Sequence, residues 1–104
     1  MNEALLKELL TVVKNEVQVD FDDDDKKLTN HIQNGCTELS RICGVEESDF
    51  KVGGRANALL LNYVRRAYDG DLTAFRNDFK SEIMTLKAES EVSRYEAKSE
   101  TESL

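Results

Sequence analysis

The residues whose types can do chemistry fall into a few groups: the acidic run Asp20-Phe21-Asp22-Asp23-Asp24-Asp25, the single histidine His31, the thiols Cys36 and Cys43, and the adjacent arginines Arg65 and Arg66. An acidic run suggests calcium. A loop opened at Asp20 puts Asp22 and Asp24 at the third and fifth ligand positions of an EF-hand, but Asp25 stands where the turn needs glycine and His31 where it needs a bidentate glutamate. The run is therefore expected to be a solvated helix start, where the macrodipole favours negative charge. His31 has the pKa range of a general base, yet no nucleophile elbow, P-loop or dinucleotide fingerprint accompanies it. No catalytic role is expected, and no cofactor.

The cysteines stand seven positions apart in a helical pattern, roughly 10 Å along the axis at 1.5 Å per residue. Disulfide geometry needs Cα atoms within about 7 Å, so an intact helix keeps them as thiols. With one histidine they do not complete a Cys/His zinc site. Small buried hydrophobes are the expected reading, and no metal site is expected. Arg65 and Arg66, about 100° apart on a helix, cannot both share one flank. Pairing of Arg65 with Asp69 is the simple reading; contact with the acidic run of a neighbouring copy is the functional one.

These residues sit on helices. The chain has 104 residues, no proline and no tryptophan, 39% hydrophobic and 34% charged residues, as for one all-α domain. The first helix is expected from Asn2, a good N-cap, to Val17; Leu5, Leu6, Leu9, Leu10, Val12, Val13 and Val17 make its apolar face wider than one stripe. The second starts within the aspartates and reaches Cys43, with Leu28, Ile32, Cys36, Leu39, Ile42 and Cys43 inward and Gly44 as its stop. Asn34-Gly35 falls inside this pattern and reads as a small residue at a close helix crossing. Val45 to Gly54 is a loop anchored by Phe50 and Val52. A third helix is expected from Arg55 to Asp69, closed by Gly70, and a fourth capped by Asp71 and holding Leu72, Phe75, Phe79, Ile83 and Leu86. The fold expected is thus a small bundle of about four helices over residues 1–87. Residues 88–104 form a polar C-terminal extension, a frayed helical continuation or a disordered tail that a partner would order.

The net charge of −7 is uneven. Residues 1–54 carry six Lys/Arg and twelve Asp/Glu (−6), and residues 55–104 carry eight and nine (−1). Such a chain repels phosphate backbones, and the acid-free stretch holding Lys51, Arg55, Arg65 and Arg66 is too sparse for a nucleic-acid site. No apolar run approaches the roughly 20 residues of a membrane span, and Met1-Asn2-Glu3-Ala4 does not resemble a secretory signal, so a cytoplasmic, membrane-free protein is expected. Work by contact with other proteins is the remaining class.

The order of elements sharpens that reading. A Leu-rich helix from Leu5 to Val17 leads through Val19-Asp20-Phe21-Asp22-Asp23-Asp24-Asp25 to a helix ending Leu39-Ser40-Arg41-Ile42-Cys43-Gly44. Then come Arg55-Ala56-Asn57-Ala58-Leu59-Leu60-Leu61-Asn62-Tyr63-Val64-Arg65-Arg66-Ala67-Tyr68 and Phe75-Arg76-Asn77-Asp78-Phe79-Lys80-Ser81-Glu82-Ile83. This order resembles the head–tail connector (adaptor) proteins of tailed phages and prophages of Gram-positive bacteria. The resemblance implies a structural virion protein without enzymatic activity: a homo-oligomeric ring in the virion neck, assembled in the host bacterial cytoplasm. It would dock on the portal protein, receive a neck or tail-completion protein, and let DNA pass through without specific binding.

A ring subunit needs different faces that match around the closed ring. Leu5, Leu9 and Val12 of the over-wide first helix, the acids Asp22 and Asp23, and Arg55, Arg65 and Arg66 are the expected interface. Another helical protein–protein interaction module, a regulator or antitoxin-like partner, is the alternative.

Overall fold

The computed structural model describes residues 2–17 and 25–102, with side chains described for 2–15 and 25–93. Among the described residues there are five α-helices: α1 (Glu3–Val17), α2 (Asp25–Cys43), α3 (Arg55–Tyr68), α4 (Phe75–Asp78) and α5 (Lys80–Glu102). Short 3₁₀ turns lie at Glu47–Phe50 and Leu72–Ala74, and no strand occurs among the described residues. The all-α class is as the sequence indicates.

Local chemistry sets the helix ends. Asn2 caps α1: its Oδ1 accepts from the backbone N–H of Ala4 at 2.8 Å and Leu5 at 3.3 Å. Gly44 ends α2 at φ 73° while its N–H donates to the Ser40 carbonyl at 2.9 Å. Gly70 does the same service after α3 at φ 76°. The connection between α2 and α3 is organised by a capping box, in which Glu46 N–H donates to Asp49 Oδ2 at 2.8 Å.

α2 is the central rod, packed against α1, α3 and α5. Its Leu28, Ile32 and Leu39 are fully enclosed with Leu9 and Val13 of α1, Leu60 and Val64 of α3, and Phe50 from the connection. The α2–α3 crossing is close because Gly35 has no side chain there. A Cβ on Gly35 would lie 2.7 Å from both Leu60 Cδ1 and Tyr63 Cδ1. Asn57, the buried polar residue of α3, donates from Nδ2 to the Phe50 carbonyl at 3.1 Å and so fixes the loop to the core. Tyr63, Phe75 and Phe79 stack in sequence, with centroids 5.3 and 5.2 Å apart.

Two expectations change. Val52 does not anchor the loop; it is 48% exposed, and Val45 with Phe50 fills that role. The expected fourth helix is divided, because the backbone leaves helical geometry at Phe79 (φ −110°, ψ 23°) where its ring is drawn against Phe75 and beneath Arg66. Residues 88–102 belong to α5, as the helical-extension reading of the tail allows. Good helix formers and the absence of glycine and proline after Lys80 explain that continuation. At about 1.5 Å per residue α5 spans roughly 34 Å, and the molecule measures 52 × 31 × 19 Å.

Candidate interaction surfaces

The residues expected at an interface have unequal fates. Leu9 is a correction: it is fully buried in the core of its own chain, because the period of α1 turns Leu9 and Val13 directly onto α2. Leu5 and Val12 are half-buried, as are Leu6 and Leu10, so α1 keeps a partly exposed apolar flank. Asp22 and Asp23 lie outside the described residues.

The arginines engage acids of their own chain. Arg55 Nε donates to Glu89 Oε1 at 2.8 Å, joining the start of α3 to α5. Arg66 Nη1 donates to Asp78 Oδ2 at 2.7 Å and to Asp71 Oδ2 at 3.2 Å, with its guanidinium carbon 5.5 Å from the Phe79 ring centroid. Arg65 is exposed on α3. A further junction was not foreseen: Glu38 of α2 accepts from Arg41 at 2.8 Å and from Arg76 of α4. Those two guanidinium hydrogen bonds hold the Glu38 carboxyl below its usual pKa. No local sequence signal marks Glu38–Arg76 or Arg55–Glu89, which join residues 38 and 34 positions apart.

The titratable groups singled out in the sequence are mostly enclosed. Cys36 and Cys43 are buried free thiols on α2. Burial, then the nearby Glu47 carboxylate, pushes Cys36 up to about 12, and burial raises Cys43 as well. The Cys43 Sγ lies 3.6 Å from the Ile83 carbonyl, its contact with α5. His31 is half-buried, and burial followed by the charge of Lys27 lowers its pKa. Among the described residues no group of three His, Cys, Asp or Glu is placed to hold a metal ion, and no helix is long and apolar enough to cross a membrane.

The surface has two features of note. A groove of about 470 Å³ runs between the loop and α5, lined by Val45, Glu46, Lys51, Arg55, Leu86 and Ser90. Its walls are tied by the Arg55–Glu89 pair and by Ser90 Oγ donating to the Gly44 carbonyl at 3.0 Å. The second feature is the outward face of α5, where Met84 is 60% and Val92 56% exposed, with exposed Ala88 between them. The four-residue spacing of these three residues is visible in the sequence, although the reading of the tail as merely polar passes over it. Comparison of the chain with protein-family models, curated proteins and solved structures finds no match.

Proposed function

We propose that this chain is a head–tail connector subunit that oligomerises into a ring on a phage portal and joins the head to the tail. One observation carries the reading. Apart from Val19 to Asp24, which lie outside the described residues, the segments on which the resemblance rests are successive elements of a single packed body: α1, the end of α2, the whole of α3, and α4 running into α5. Each contributes to the same core through Leu9, Leu39, Leu60 and Phe75. Such a body can offer its outer faces to partners.

Two further features support the reading. The partly exposed flank of α1, with Leu5, Leu6, Leu10 and Val12, supplies apolar area for a neighbouring subunit. The second is α5, whose anchors Ile83, Leu86, Glu89 and Ser90 lie in its first half, so its length extends the body along one direction. A heterologous ring contact uses two such unlike faces.

The test is electron microscopy of the purified protein alone and mixed with a portal. Rings of uniform size, formed alone or on the portal, support the proposal. A monomer that the portal neither binds nor assembles rejects it. Arg65→Glu, at an exposed position of α3, is expected to reduce ring formation with helicity unchanged. Unaltered oligomer size by light scattering would remove Arg65 from the interface.

A further inference from the structure

Asn34–Gly35 is the one asparagine–glycine step in the chain, and it falls in the middle of α2. In a flexible chain such a step is chemically labile, because glycine has no side chain to hinder attack of its backbone nitrogen on the asparagine amide. The Gly35 nitrogen loses its proton and bonds to Asn34 Cγ, the Cγ–Nδ2 bond breaks, and ammonia leaves. Water then opens the cyclic imide. Cleavage of the new bond at Cγ gives aspartate. Cleavage of the original peptide bond gives isoaspartate, in which the main chain runs through Cβ and Cγ. Water and base suffice for every step.

We infer that Asn34 is a deamidation site closed by the fold, and that the α2–α3 crossing bars its isoaspartate product from refolding. Asn34 is exposed, so water and base reach its amide in the native protein. The attack is what the fold prevents. Gly35 lies inside a helix, so its N–H is committed to the His31 carbonyl four residues before it. It is also buried against Leu60 and Tyr63. Ring closure needs that N–H released and the Asn34 backbone turned out of helical geometry. Asparagine and glycine are both weak helix formers, so propensity does not hold the step shut. Packing does. Leu28 and Ile32 before it, and Cys36 and Leu39 after it, are buried in one core. The attack therefore waits for release of α2, the central rod, which is an opening close to global unfolding.

The two products meet different fates. Aspartate at position 34 keeps the backbone and changes only an exposed side chain. Isoaspartate lengthens the main chain by one atom. The helical hydrogen bonds donated by Gly35, Cys36 and Thr37 each close over residue 34, so each ring gains that atom. The shift falls where there is least room, since even a Cβ on Gly35 would lie 2.7 Å from Leu60 and Tyr63 side-chain carbons. Cys36 and Leu39 cannot keep their places in the core while Leu28 and Ile32 keep theirs. A chain left open long enough to form isoaspartate is thereby marked and held out of the packed state. This inference goes beyond the connector reading and does not depend on it.

Ageing of the full chain at pH 8, in native buffer and in guanidinium, tests the closure. Peptide mapping by mass spectrometry follows loss of the Asn34 amide, and enzymatic methylation of the peptides separates isoaspartate from aspartate. Deamidation in native buffer is expected to be more than about tenfold slower than in denaturant, as for a reaction that tracks the open population. A smaller difference would overturn the closure. Ile32→Val, a mild core truncation, should speed the native reaction about two- to twelvefold. An unchanged rate in a measurably destabilised Ile32→Val protein would show that the attack does not require α2 to open. Dilution of the aged, denatured sample tests the second half. The folded monomer recovered by size exclusion should contain asparagine and aspartate at position 34, with isoaspartate left in the unfolded and aggregated fractions. Equal isoaspartate in all fractions would overturn the exclusion. Asn34→Asp supplies the other product directly and should refold in wild-type yield. Its failure to fold would assign the exclusion to charge and remove the role given to the backbone.

Discussion

Arg66 and Asp78 close a bridge between the last turn of α3 and the end of α4, with Nη1 2.7 Å from Oδ2. The bridge stands immediately before Phe79, where the helical path breaks, and the same guanidinium lies over the Phe79 ring. Arg66 therefore fixes the direction in which α5 departs. Both partners are about a third exposed, so solvent screening limits the pair.

Arg66→Ala is expected to lower stability by about 0.5–1.5 kcal/mol, from lost pairing and lost ring contact together. That corresponds to a fall in Tm of roughly 2–12 °C for a domain of this size. Asp78→Asn should cost less, since the ring contact survives. A double-mutant cycle read by thermal unfolding checks the coupling. Additive effects would mean that Arg66 and Asp78 do not act as a unit.

Gly35 sits where α2 and α3 cross most closely. Alanine there would gain up to about 1 kcal/mol of helix propensity. Its Cβ would also meet Leu60 Cδ1 and Tyr63 Cδ1 at 2.7 Å, well inside normal contact. Leu60 is wholly buried and has little room to give way, so overpacking of about 1–3 kcal/mol dominates. Gly35→Ala should lower the urea midpoint with an unchanged slope. A raised midpoint would show that the core relaxes more readily than this packing implies.

His31 gives stability a pH dependence of definite sign. Burial and Lys27 disfavour its charged form in the fold, so its folded pKa lies below the ordinary value of 6.5. As pH falls through 6.5 the unfolded chain binds a proton first, and stability declines until the folded state protonates as well. Above that window His31 contributes no slope. Chemical denaturation between pH 7.5 and 5.5 should show this decline in the wild type and a flatter profile in His31→Gln. Equal slopes would assign the decline to other groups.

The parts of the fold legible in sequence are those set by local rules. Asn2, Gly44 and Gly70 mark helix ends through hydrogen bonding and positive φ, and both are read from single residues. The spacing of Leu28, Ile32, Cys36 and Leu39 locates the inner face of α2 in the same way. What escaped depends on distant partners. Leu9 and Leu5 share one apolar face in sequence, and only the approach of α2 decides that Leu9 is enclosed and Leu5 half-open. Arg55 and Arg66 look available until Glu89 and Asp78 are brought to them. The outer stripe of α5 was hidden by averaging, since Met84, Ala88 and Val92 are diluted among charged neighbours and stand out only once the inner face is known.

The thiols provide the last prediction. Alkylating reagents attack thiolate, and burial disfavours that ion at both positions. With Cys36 pushed up to about 12 and 6% exposed, and Cys43 1% exposed against α5, neither should react at pH 8 while the core is closed. Iodoacetamide labelling followed by mass spectrometry should therefore be slow in native buffer and complete in denaturant. Cys43 should be protected by the packing of Ile83 and Leu86, whereas Cys36 borders the shallow groove formed with Gln33, Thr37, Ser40 and Phe50. Ile83→Ala is expected to speed labelling of Cys43 and leave Cys36 nearly unchanged. That difference separates local release of α5 from global unfolding. Equal acceleration at both cysteines would instead mean that α5 and the α2–α3 core open together.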